Sequence, residues 1–234
     1  MTDAISRDFD TRKLFNTHSE QIDNPFPLAT TSKILCDTHN SMLGSISDIV
    51  GVKLFNYIND TINGSAAPVL LINGNDLELF MLQRMCAYYY SGVFTKDKIS
   101  IKNYEINNLL LYDAIEFGKY TDGAGLYITA PPKHQLDDST FAFETTPMIT
   151  NVGRIIGIRF TIGTLSLALV LEPQDFYVFP LSYNRPKGFR LFKDGVQKYE
   201  ILLSWEDGSK SGYADFYEID RPYSEKKING LDGS

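Results

Sequence analysis

The stretch that most constrains how this chain can fold is Arg154 to Leu171, RIIGIRFTIGTLSLALVL. Ile156, Ile158, Phe160 and Ile162 alternate with smaller or polar residues, and Leu165, Leu167, Leu169 and Leu171 do the same. Period two marks a strand, because successive side chains leave it on opposite faces. Gly163 and Thr164 stand between the two series. Glycine in the first position of a two-residue loop accepts the positive φ of a type II′ turn. That loop sets a register: Ile162 faces Leu165, Phe160 faces Leu167, Ile158 faces Leu169 and Ile156 faces Leu171. All eight side chains then share one face against a core, and a slip of one residue would destroy the match. The other face carries Arg159, Thr161, Ser166, Ala168 and Glu172, so it is expected to be partly wet. Pro173 ends the second strand, since it cannot donate to a ladder.

Beyond this hairpin the chain changes character once. Residues 1–29 form a polar N-terminal tail closed off by Pro25 and Pro27. Residues 30–122 read as helical. A first helix runs from about Thr30 to Ile62, with a break or bend expected at Gly44 or Gly51. PVLLI, 68–72, is a short buried strand or extended link. Asn75 or Asp76 caps a second helix reaching about Tyr90, with Glu78 in the first turn, where the helix dipole favours an acid. The segment LELFMLQRMCAYYY is apolar almost all round, so this helix is expected to be central. A third helix is expected from about Asn103 to Lys119, with Ile106, Leu109, Leu110, Ala114 and Phe117 on its inner side.

Residues 123–222 read as β, with strands at 140–145, 154–162, 165–171, 175–183, 188–193, 196–205 and 213–219. Turn signals at Asn184-Arg-Pro186, Asp194-Gly195 and Glu206 to Gly212 separate them. Residues 223–234 form a polar C-terminal tail. The expected fold is therefore α+β: three or four helices, then an antiparallel β-sandwich or barrel of about seven strands.

Composition excludes more than it assigns. The 234 residues carry a formal net charge of −7 and no long basic run, so no nucleic-acid partner is expected. No apolar stretch reaches membrane-spanning length and the N-terminus lacks an apolar leader segment, which points to a cytoplasmic setting, or to a virion for a viral protein. Cys36 and Cys86 form no CxxC pair and read as buried thiols. His18, His39 and His134 lie far apart and make no metal motif. GxSxG and Walker A signatures are missing, and Asp137/Asp138 and Glu206/Asp207 fall in turns where acids solvate freely. No catalytic residue, cofactor or metal is assigned.

Two features remain. Asp207 to Glu218, DGSKSGYADFYE, follows the spacing of a calcium loop: Asp207, Ser209 and Ser211 stand first, Gly212 at the sharp turn, and Asp215 and Glu218 at the ninth and twelfth positions. Over these twelve residues the stretch resembles an EF-hand loop, which would imply a calcium ligand set. Two ligand positions are serine, however, and both flanks read as strands, so the residues themselves favour a hairpin with a polar turn. In the run DFYVFPLSY, Tyr177, Phe179, Leu181 and Tyr183 take one face, and Phe176 and Val178 the other. A strand apolar on both faces is central or is covered by a partner. Phe176, Tyr177, Phe179 and Tyr183 are thus the candidate interface residues. With the polar tails, they point to a non-enzymatic structural or assembly protein, a virion or phage-type subunit whose partners are protein subunits of its own or another kind. The alternatives are a carbohydrate- or protein-binding module with an aromatic β face, and an enzyme whose site forms only in the fold.

Overall fold

In a computed structural model, the described residues are 37–62, 64–91, 95–96, 99–100, 104–129, 135–136, 143–162, 165–173, 182–193 and 196–218. Three helices lie among them: α1 (Asp37–Ile62), α2 (Gly74–Ser91) and α3 (Asn108–Phe117). The strands are β1 (Val69–Asn73), β2 (Thr95–Lys96), β3 (Ile99–Ser100), β4 (Glu105–Ile106), β5 (Gly125–Thr129), β6 (Gln135–Leu136), β7 (Phe143–Ile149), β8 (Arg154–Ile162), β9 (Leu165–Val170), β10 (Ser182–Asn184), β11 (Pro186–Lys193), β12 (Val196–Ser204) and β13 (Ser211–Glu218).

They form two main sheets, ordered β1-β12-β11-β13-β6 and β10-β5-β9-β8-β4, with β7 also pairing β8. A separate two-stranded sheet joins β2 and β3. The fold is mixed α and β, but the expected antiparallel sandwich or barrel gives way to mixed sheets. β1 runs parallel to β12, β11 to β13, β13 to β6 and β4 to β8, and no sheet closes into a barrel among the described residues. Two of these parallel pairs arise because the sheets recruit short strands from the helical half of the chain, and the other two because β13 lies between β11 and β6 instead of folding back on β12. β1 and β4 enter after crossovers that a hairpin count cannot anticipate.

Helix α2 lies between the sheets and touches β1 and β12 of one and β5, β8 and β9 of the other. Leu77, Phe80, Met81, Leu82, Met85 and Cys86 are buried on it, as its apolar sequence implied. Burial pushes the Cys86 thiol up to about 12, so it stays protonated and inert at neutral pH; Cys36 lies outside the described residues. Asn73 caps α2, accepting from the Asn75 and Asp76 backbone N–H groups at 2.9 and 3.4 Å. The helix therefore starts earlier than expected, at Gly74. Helix α1 runs unbroken through Gly44 and Gly51. A Cβ on Gly51 would lie 2.5 Å from the Phe80 ring, so this glycine serves close approach of α1 to α2 rather than a bend.

The hairpin register holds: Ile162 pairs with Leu165, Phe160 with Leu167 and Ile158 with Leu169, while the Leu171 N–H donates to the Ile156 carbonyl at 2.7 Å. Gly163 and Thr164 lie outside the described residues. One side chain changes face. The pairing of β7 with β8 skips from Met148↔Gly157 to Ile149↔Ile155. Ile156 is the extra residue of a bulge, and a bulge reverses the alternation. Ile155 takes the place in the main core, and Ile156 joins Met148, Ala168 and Val170 in a second buried cluster, with Tyr127 against it. The face expected to be wet is thus dry where these residues meet.

Gly157 sits in this bulge, and a Cβ there would fall 2.1 Å from the Leu169 carbonyl oxygen. We expect Gly157→Ala to destabilise the protein by about 3 kcal/mol in urea unfolding. Gly212→Ala, with nothing within 4 Å of the added carbon, should stay within about 0.5 kcal/mol of the parent.

Candidate functional site: a buried arginine and its carboxylates

The polar centre of the structure is Arg185, between β10 and β11. Its residue exposure is 5%, and that of Glu78, the fifth residue of α2, is 1%. The two meet as a fork: Arg185 Nε donates to Glu78 Oε1 at 2.9 Å and an η nitrogen to Oε2 at 2.8 Å. The Leu126 N–H, from β5, also donates to Oε1 at 2.7 Å. The second η nitrogen of Arg185 reaches Asp207, in the β12–β13 turn, at 2.7 Å. The guanidinium carbon lies 5.4 Å from the ring centres of both Tyr120 and Trp205. A planar cation that donates in two directions while lying over aromatic rings is a role suited to arginine and not to lysine.

The surrounding chain is shaped to admit this group. Gly125 has φ +115°, and a Cβ on it would lie 2.7 Å from Glu78 Oε1. Trp205 lies against Gly74, where a Cβ would be 2.6 Å from its ring, and donates from Nε1 to the Pro186 carbonyl at 2.8 Å. Arg185 itself has φ +38°, in the left-handed region that a non-glycine residue rarely occupies. Its backbone is held on both sides: its N–H donates to the Leu126 carbonyl at 2.8 Å, and its carbonyl accepts from Lys210 N–H at 3.0 Å.

Burial raises the Glu78 carboxyl above its ordinary value, while the Arg185 hydrogen bonds and the Leu126 N–H oppose the rise. Burial also pushes the Tyr120 hydroxyl up, reinforced by the Glu78 charge. A second buried pair, Arg84 with Asp48 at 2.5 Å, ties α2 to α1; there too burial raises the carboxyl against the pull of Arg84. In both pairs the carboxylate is already committed to a cation. Glu78 in particular accepts three donors, so its arrangement positions chain segments rather than offering a base to a substrate.

Tyr183 is on β10, opposite Ile128 of β5, and packs half-buried on the main core. Phe176, Tyr177 and Phe179 lie outside the described residues, as do Asp137, Asp138, His18 and His134; of His39 only the helical backbone is described. Tyr88 is buried, and the Tyr89 hydroxyl donates to the Tyr104 carbonyl at 3.1 Å, so both belong to the interior packing. The calcium-loop spacing of Asp207 to Glu218 does not wrap. Ser211–Glu218 is strand β13, in which oxygens spaced at about 3.3 Å per residue run in a line instead of converging. Asp207 pairs with Arg185, and Asp215 with Arg190 at 2.8 Å. No group of three or more His, Cys, Asp or Glu among the described residues is placed to hold a metal ion. No described helix is long and apolar enough to cross a membrane.

Sequence reasoning passed over Arg185 as part of a turn and took Glu78 for a dipole-favoured acid. The available signal was Glu78 and Arg84 themselves: two charges in a helix apolar all round must find buried partners. Compared with known proteins, the chain matches no family model, no curated protein and no solved structure.

Removing Arg185 leaves Glu78 buried without its cation. We expect Arg185→Met to lose about 3–5 kcal/mol at pH 7. Without Arg185 the folded-state Glu78 carboxyl titrates higher still, and protonation removes the unpaired charge. The deficit should therefore be smallest near pH 4 and grow as pH rises through the Glu78 value. Urea unfolding across that range checks it, and Glu78→Leu with Arg185→Met should be more stable at pH 7 than Arg185→Met alone.

Proposed function

We propose that this chain is a non-enzymatic structural or assembly protein, a subunit of a larger complex, virion and phage-type particles included. One observation supports the reading above the others: among the described residues, β1 is an uncharged edge strand. It lies at the end of its sheet and pairs with β12 on one side. Its sequence, VLLIN, carries none of the lysine, proline or bulge devices that discourage strand addition at an edge. Val69 and Leu71 are 50% and 66% exposed. The register continues Leu71 into an outward row of Leu202, Gly188 and Tyr213 across four strands. A subunit adding its own strand at β1 would gain main-chain hydrogen bonds and cover this row. Wild-type protein is expected to form a defined oligomer or to co-purify in one with its partner. Leu71→Lys should reduce it to free chains without lowering its melting temperature. Light scattering on a sizing column decides, and a constant mass of 26.4 kDa at all concentrations would sink self-association.

The second reading, a binding module with an aromatic β face, is supported by the neighbouring row. Arg190 forms a fork with Asp215 at 2.8 and 2.9 Å and lies 4.6 Å over the Tyr213 ring. Beside it Gly188 leaves Tyr213 and Leu202 without a side chain between them. A sugar or peptide docking there would perturb Tyr213 fluorescence, and Tyr213→Ala should abolish its binding.

A further inference from the structure

Large apolar side chains face water on α3 and on β1. On α3 they are Leu109, Tyr112 and Phe117. The sequence led us to expect Leu109 and Phe117 on the inner side; the helix instead turns Leu111 inward, and Lys119 lies over Phe117. On β1 they are Val69 and Leu71, and the backbone of that strand indicates what fits against them.

The Glu200 N–H donates to the Pro68 carbonyl at 2.9 Å, and Ser204 Oγ donates to the Ile72 carbonyl at 3.4 Å. Backbone groups of successive strand residues point to alternate sides, so residues 68, 70 and 72 direct theirs to β12. Val69, Leu71 and Asn73 direct theirs to the opposite side, where no strand lies among the described residues. Pro68 has no N–H, but it belongs to the set that faces β12, so it takes no donor from the edge. Helix α2 begins at Gly74 and ends the ladder there. Three residues spaced evenly about Leu71 therefore offer one N–H and one carbonyl each.

That arrangement is its own complement. A second β1, turned end for end about an axis through Leu71, sets Leu71 against the partner's Leu71 and Val69 against the partner's Asn73. Each of the three pairs then exchanges two hydrogen bonds. An axis through Leu70 or Ile72 would leave one of the three residues without an equivalent opposite it. Rows on the outer face of the sheet continue across the Leu71 axis. Leu202 and Leu71 meet the partner's Leu71 and Leu202 in an uncharged row. Glu200, beside Val69, lies in a row that continues into the partner's Asn73 and Ser204. The two Glu200 carboxylates thus fall in different rows, and a chain of net charge −7 sets no like charges opposite each other here. We propose that β1 is the two-fold interface of a homodimer, pairing antiparallel with β1 of a second copy about Leu71 and joining the two first sheets into one. This inference rests on the assembly reading and names its partner and register.

The test uses the full chain carrying Cys36→Ser, in which the remaining native thiol, Cys86, is buried. Residues opposed in a hydrogen-bonded pair have Cα atoms about 5.5 Å apart, within disulfide reach, whereas the two copies of residue 69 lie about 14 Å apart, beyond it. Under copper–phenanthroline oxidation Leu71→Cys should cross-link at least tenfold faster than Val69→Cys, although both positions are exposed. Leu71→Lys and Leu71→Glu each bring like charges together at the axis. An equimolar mixture of the two should associate at least threefold more tightly than either alone, read by light scattering as approach to twice 26.4 kDa. A foreign strand at β1 would give no such rescue. The proposal is overturned if Val69→Cys cross-links as fast as Leu71→Cys, if the mixture associates no better than its components, or if wild type stays at 26.4 kDa at all concentrations. Should any of these come with a larger self-assembled mass, or with a different chain co-purifying, this partner and register fall and the assembly reading stands. A monomer without any partner removes both.

Discussion

Arg185 is buried with its charge, and every feature around it follows from that condition. A guanidinium removed from water must spend its donors on acceptors supplied by the protein. Here the acceptors come from distant segments: Glu78 from α2 and Asp207 from the β12–β13 turn. Leu126 of β5 accepts from the Arg185 backbone and donates to the same carboxylate. The central helix, one strand of the second sheet, the crossing point from β10 to β11 and a turn of the first sheet therefore close on one group. The left-handed backbone at Arg185 and the positive φ of Gly125 belong to the same closure. The first is unfavourable for a non-glycine residue and is held by the partners of Arg185, whereas glycine adopts a positive φ without that cost.

That closure explains why one helix can serve two sheets. An all-apolar α2 would fill the space between them but would not choose its rotation or depth. Glu78 at its start and Arg84 further along define both. The first faces Arg185, where the sheets approach each other; the second faces Asp48 on α1. Buried ion pairs contribute little net stability against well-packed apolar replacements, and their value lies in excluding other arrangements. Glycines at 51, 74 and 125 remove the side chains that would keep these segments apart.

Among the described residues, exposed apolar side chains include Val69 and Leu71 on β1 and Leu109, Tyr112 and Phe117 on α3. Among the described residues, the outward row on the first sheet begins at the edge strand β1, and the outward side of α3 carries Asp113 and Glu116. They differ in chemistry. The first is a strand edge of uncharged sequence; the second is a helix face on which Lys119 lies over Phe117.

The strongly periodic stretches were legible without coordinates. The pairing of Ile158, Phe160 and Ile162 with Leu169, Leu167 and Leu165, the helical span ending at Ile62, the central place of α2 and the burial of Cys86 all follow from alternation and apolarity. These are local properties, and a strand or helix expresses them wherever it is put. What only the tertiary structure decided depends on contacts between segments far apart in the chain. The partners of Glu78 and Asp207, the parallel entry of β1 beside β12 and the inward turn of Leu111 rather than Leu109 are of this kind. So is the bulge that carries Ile156 to the other face of its sheet. Periodicity tells a residue which neighbours share its face. It does not tell that face, or a buried charge, what it will meet, because the meeting is set by how the whole chain closes around α2.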